Sequence, residues 1–225
     1  MQKPMPKVLR YFRYYGNIAL FGLTVFSIIW VFVSVNEFGS DQPLKYYTVL
    51  SNLLCGICAA VCIPFSFLLL NKENKVYEKI VYLFQYIGTV GVALTFLVVM
   101  FFLGPNFGFD MMLSSYNLFL HLIDPVLAIL LFVFGTLSYR RNFLEPLYAI
   151  PPSLLYGFFY VTLYLNNLST DFYQFFAGGN NVPLTILLMC FNFLAICYGL
   201  WILNALVSKF VTGMPLDFKI EKKQK

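Results

Sequence analysis

Thr48 and His121 are the residues with which this chain could do chemistry, a hydroxyl and an imidazole set in long apolar stretches. His121 is the only histidine among 225 residues. A Thr hydroxyl is a poor nucleophile until a base takes its proton, and a neutral imidazole within hydrogen-bond reach does so during attack on a carbonyl. Such a pair would hydrolyse or transfer an acyl ester. His121 stands in Asn117-Leu118-Phe119-Leu120-His121-Leu122-Ile123-Asp124-Pro125, so Asn117, His121 and Asp124 fall at i, i+4 and i+7 on one helical face. Ionisable groups inside a bilayer are costly and face a bundle interior or a cavity, which marks this face as functional. Asp124 could orient the imidazole as the third member of a triad, or bond another helix or a tyrosine. Pro125 lacks an N–H, so the His121 carbonyl is expected to lose its helical partner and the helix to bend there.

Thr48 opens a second polar stripe with Ser51 and Asn52, although Thr, Ser and Asn in membrane helices also serve as interhelical hydrogen-bond glue. A tetrahedral intermediate would need donors, for which Asn52, Asn117 or a tyrosine qualifies. Tyr156, Tyr160 and Tyr164 recur every four residues and could line the pocket, or form packing and an interface belt. Cys55, two turns below Thr48, is the alternative nucleophile, in a Cys–His acyltransferase. The five cysteines, Cys55, Cys58, Cys62, Cys190 and Cys197, all lie in apolar stretches, where free cysteine acts as a small hydrophobe. Cys55 and Cys58 form a CxxC without further ligands at matching spacing, so no metal and no cofactor are expected.

The elements that must position these residues are transmembrane helices. Hydrophobic residues make up 60% of the chain and charged residues 11%. The mean hydropathy is +0.76. Apolar runs at residues 18–35, 47–70, 80–102, 117–137, 148–165 and 182–207 predict six spans in one all-α integral membrane domain, since roughly 20 apolar residues make one crossing. The runs are apolar all round, which argues against a β-barrel. Lys3, Lys7, Arg10 and Arg13, then Lys72, Lys75 and Lys79, then Arg140 and Arg141, then Lys209 and the lysines of the tail 208–225, all fall on one side. Only Lys45 falls on the other, so the positive-inside rule puts both termini in the cytoplasm. This distribution accounts for the net charge of +5 with anionic lipid as the partner of the cytoplasmic face and without nucleic acid. Span 1 has a long apolar run and no cleavage signature, and reads as a retained anchor. The longest loop, 166–181, is too short for a folded domain, so chemistry belongs inside the bundle. No internal repeat suggests an inverted-repeat transporter. Asn167-Leu168-Ser169 fits a glycosylation sequon on the outer face.

The motifs YYTVLSNLL at span 2 and NLFLHLIDP in span 4, within six spans, resemble the androgen-induced protein family and its bacterial six-span relatives. In the animal members a Thr and a His hydrolyse fatty acid esters of hydroxy fatty acids. The resemblance implies Thr48 as nucleophile, His121 as base, and a membrane lipid or fatty acyl ester as substrate. Those members carry a second histidine near the first, whereas His121 is followed by Asp124. Counting about 1.5 Å per residue from the inner span ends puts Thr48 about 9 Å further out than His121, with Cys55 level with His121. Two other readings use the same residues: a lipid-binding or transport protein without covalent chemistry, and a structural subunit. A bacterial source would imply the plasma membrane.

Overall fold

Helix boundaries follow capping and charge pairing rather than the edges of the apolar runs. The computed structural model describes residues 4–38, 42–139, 141–168, 171, 173, 175, 176 and 182–215. Six main helices emerge: α1 Lys7–Phe38, α2 Tyr47–Leu68, α3 Lys75–Phe107 and α4 Tyr116–Gly135, α5 Ile150–Leu165 and α6 Val182–Thr212. No strand occurs among the described residues. α3 begins at Lys75 because the Asn74 side chain accepts the N–H groups of Val76 (2.9 Å) and Tyr77 (3.3 Å), satisfying two donors of its first turn. α1 begins at Lys7 rather than Ile18 because its basic first turns find acids: Arg10 pairs with Glu73 at 2.5 Å and Arg13 with Glu78 at 2.8 Å.

Five segments are long and apolar enough to cross a membrane: Lys7–Ser34, Tyr47–Leu68, Lys75–Phe107, Tyr116–Gly135 and Pro183–Thr212. The remaining expected span, 148–165, corresponds to α5, whose 16 residues follow the 3-10 turn Glu145–Ala149. At about 1.5 Å per residue it rises about 24 Å, less than the roughly 30 Å of a hydrocarbon core. The chain is thus all-helical and compatible with a multi-pass integral membrane protein. Arg140, Ser169 of the sequon and residues 216–225 of the basic tail lie outside the described residues.

α1 packs on α2 and α4, and α3 packs on the same two, so the first four helices close a ring. The seam that α1 turns inward is Arg13, Asn17, Leu20, Thr24, Ser27, Val31 and Ser34, all buried and spaced alternately by four and three residues, the pattern of a helix that wraps its neighbours. Most of that seam is polar. Small residues let the backbones approach. A Cβ on Gly88 of α3 would stand 3.1 Å from Cys58 Cβ and 3.2 Å from Cys55 Cα. One on Gly56 of α2 would overlap Thr24 Oγ1.

α6 leans on α4 from outside and leaves Leu187, Phe191 and Phe210 exposed. It is held at one end by Arg141, whose guanidinium donates to Asn204 Oδ1 (2.6 Å), to the Asn204 carbonyl (3.1 Å) and to Ser208. The start of α1, the α2–α3 turn and the end of α4 meet at this same end, where Arg13 bonds both Glu78 and the Gly135 carbonyl.

Candidate functional site

At the opposite end lies a cavity of about 310 Å³, and both Thr48 and His121 line it. Asn117, Tyr46, Tyr116 and Tyr173 add polar groups, while Val31, Val49, Leu103, Phe107, Met111, Met112 and Leu120 make an apolar wall. Both residues line this one cavity despite the separation in depth counted along ideal helices.

Residues Phe119–Ile123 form a π turn, closed by the Asp124 N–H on the Phe119 carbonyl. The next carbonyl, Leu120, faces Pro125 across the same five-residue spacing and finds no N–H there. Asn52 of α2 supplies the missing donor: its Nδ2 reaches the Leu120 carbonyl at 3.1 Å and the Thr48 carbonyl at 2.8 Å. The bend expected at the His121 carbonyl is therefore a π turn, with the orphan one residue earlier. Asn52 is committed to holding it rather than to an oxyanion.

The π turn also rotates the residues beyond it. Asn117 and His121 stay on the cavity face, with Asn117 Nδ2 donating to Met111 O at 3.4 Å, but Asp124 leaves that face. Its Oδ2 instead accepts from the Ser27 hydroxyl of α1 at 3.1 Å. The group that orients the imidazole is the Met112 carbonyl of the short helix Phe109–Met112, to which His121 Nδ1–H donates at 2.6 Å. A carbonyl can only accept, so the neutral ring carries its proton on Nδ1 and keeps the Nε2 lone pair for a proton from elsewhere. Asp124 as orienter is replaced by this backbone oxygen. The turn entering α4 is tight, with Ser115 at φ 54°, a conformation that L side chains seldom adopt.

The other expected residues divide. Ser51 bonds Thr95 Oγ1 of α3 at 3.0 Å and is interhelical glue. Cys55 packs beneath Gly88 and beside Leu20, Ala59, Val92 and Ala128, away from the cavity lining. Tyr156 donates to the Lys45 carbonyl at 2.8 Å, Tyr160 donates to Asp171, and Tyr164 stacks on Phe176 at 4.7 Å. The tyrosine stripe of α5 is thus occupied with loop packing, and the cavity takes its phenols from Tyr46, Tyr116 and Tyr173.

Tyr173 reaches in from the loop after α5, and its hydroxyl accepts the Tyr47 N–H at 2.8 Å beside Thr48. It caps α2, whose own N-cap residue Tyr46 makes no side-chain cap. Burial pushes the Tyr173 phenol up to about 12, so it keeps its proton at neutral pH. Nothing in the local sequence marks this role, which joins residues far apart in the chain. Ser27 is likewise absent from the residues expected from the sequence, although the alternating four- and three-residue spacing of the polar seam of α1 is a signal that could find it. Comparison with protein-family models, curated proteins and solved structures gives no match.

Proposed function

We propose that the chain is an intramembrane hydrolase of fatty acyl esters, with Thr48 as nucleophile and His121 as base. The observation that carries this reading is the shared cavity: one hydroxyl and one imidazole with Nε2 unprotonated in its neutral form, against an apolar wall suited to an acyl chain. Thr48 Oγ attacks the ester carbonyl as His121 Nε2 takes its proton. The carbon–alkoxy bond then breaks, the proton passes to the departing alcohol, and an acyl-threonine remains. Water attacks this second ester, with His121 again accepting and returning a proton, to release the fatty acid. Tyr116 and Asn117 in the cavity lining are the donors for the oxyanion.

The same proposal includes six spans, with α5 as the short fifth crossing, and cytoplasmic termini. Its support is the gathering of Arg10, Arg13 and Arg141 at the end away from the cavity, in keeping with the positive-inside rule. The cavity then opens in the outer half of the bilayer, and the membrane is the plasma membrane if the source is bacterial.

A second reading is lipid binding or transport without covalent chemistry, favoured by one observation: no hydrogen bond joins Thr48 and His121. Labelling of the purified protein by a lipid-like fluorophosphonate separates the two. Under the hydrolase reading Thr48→Ala and His121→Ala each lose labelling by at least about 100-fold and Cys55→Ala keeps it. Loss in Cys55→Ala moves the nucleophile to the thiol, and an unlabelled wild type moves the function to binding.

A further inference from the structure

One helical turn beneath the cavity, two acceptor oxygens are buried without a donor, Asn52 Oδ1 and Asp124 Oδ1. Both side chains are 0% exposed. Each is pinned on its other atom. Asn52 Nδ2 is held by the Leu120 carbonyl, and Asp124 Oδ2 stands 3.1 Å from the Ser27 hydroxyl, whose one hydrogen also faces the Thr24 carbonyl at 3.1 Å. Side chains on a helix lean toward its N-terminus, so the Asp124 carboxyl lies back over the Leu120 turn against which the Asn52 amide rests. Cys55, one turn after Asn52 on α2, lies within electrostatic reach of the same carboxyl. Ser27 of α1 bonds Asp124 of α4, and Asn52 of α2 bonds Leu120 of α4, so both free oxygens belong to side chains that tie α4 to a neighbouring helix at the level of the π turn.

Neither oxygen can satisfy the other, because an amide oxygen and a carboxylate only accept. The arrangement calls for positive charge, since a buried carboxylate with one hydroxyl donor is far from compensated. We propose that Asp124, Asn52 and Ser27 form an intramembrane site for a monovalent cation, with sodium as the ion to test. Oxygen donors suit a hard cation, and one carboxylate balances one charge, where a divalent ion would leave an excess in hydrocarbon. No group of three or more His, Cys, Asp and Glu residues gathers among the described residues, so a transition metal lacks a donor set. Interrupted helices border cation sites in membrane proteins, and the break at Pro125 lies at this level, its freed Leu120 carbonyl being held by Asn52. A bound cation ties α1, α2 and α4 together below the π turn that carries His121. Nothing in this depends on catalysis by Thr48.

The competing occupant is a proton on Asp124, with Cys55 on α2 as the titratable group within electrostatic reach of it. Thermal unfolding of the purified full chain, in sodium chloride against choline chloride at constant ionic strength, tests the site. The wild type should gain about 3 to 6 °C at a sodium concentration ten times the dissociation constant. Asp124→Asn should abolish the gain, and Ser27→Ala should move its midpoint to several-fold higher sodium. An unresponsive wild type, an equal gain in Asp124→Asn, or a melting point that follows pH but not sodium overturns the proposal. Should Asp124→Asn fail to fold, an unchanged midpoint in Ser27→Ala overturns it as well.

Discussion

The two ends of the bundle put buried polar groups to opposite uses. At the basic end Arg13 bonds Glu78 and the Gly135 carbonyl through Nη1, and Arg141 bonds Asn204 and Ser208, so each of these buried cations joins helices. At the other end Thr48, His121 and Asn117 line a void, and the His121 and Asn117 side chains bond nearby backbone. Intramembrane polarity thus means adhesion at one end and an available site at the other. What separates them is whether a partner helix has filled the space.

The sharpest break of this contrast is at the basic end. Arg13→Ala leaves Glu78 buried without its partner and should cost about 3–5 kcal/mol, read as a large fall in melting temperature. Replacing both partners by Met and Leu should recover most of it. Equal losses in the single and double variants would mean that the pair does not act as a unit.

Asn52→Leu comes next, because it strands the Leu120 carbonyl and loosens the π turn at a cost of about 1–3 kcal/mol. Thr48→Ala should lower stability by less than about 1 kcal/mol while removing turnover, since its hydroxyl contributes to no helix contact at the basic end. A collapse of folding in Thr48→Ala would place Thr48 among the adhesive residues instead.

The smallest effect belongs to Glu145, beyond the spans, which accepts from the Tyr139 hydroxyl at 2.5 Å. Burial pushes its carboxyl up, so the folded state favours the protonated form. The stability from that preference is full in acid, below the ordinary carboxyl value, and is lost as pH rises through the folded value. Glu145→Gln should flatten the melting temperature against pH across this acid range, and an unchanged slope would assign the titration elsewhere.

Much of the site is legible in the sequence because polar residues stand out in apolar helices. Thr48, His121 and Asn117 show by that contrast, and the cavity gathers all three. Asp124 has a different neighbour from the one its spacing implies, because i, i+7 spacing assumes an unbroken α ladder, which the π turn ends. Tyr173 is out of reach of sequence reasoning, since a cap supplied by a distant loop leaves no local pattern. The five long helices follow from hydropathy, yet α1 starts earlier than its apolar run because Arg10 and Arg13 are paired with acids, and α3 because Asn74 caps its first turn. The seam of α1 is present in the spacing of Asn17, Thr24, Ser27 and Ser34, and that spacing is the signal that points to Ser27.

The π turn holds one residue more than an α-helical turn of the same rise. Deleting Leu120 would remove the extra residue and let α4 relax to ordinary winding, in which His121 and Asp124, still three residues apart in sequence, stand about 60° from one another around the helix. His121 and Asp124 would then share a side of α4 with both of their side chains intact. In this chain the difference between an occupied helix interface and an open pocket is encoded as a length, so insertions and deletions in this segment should be more damaging than substitutions of its leucines.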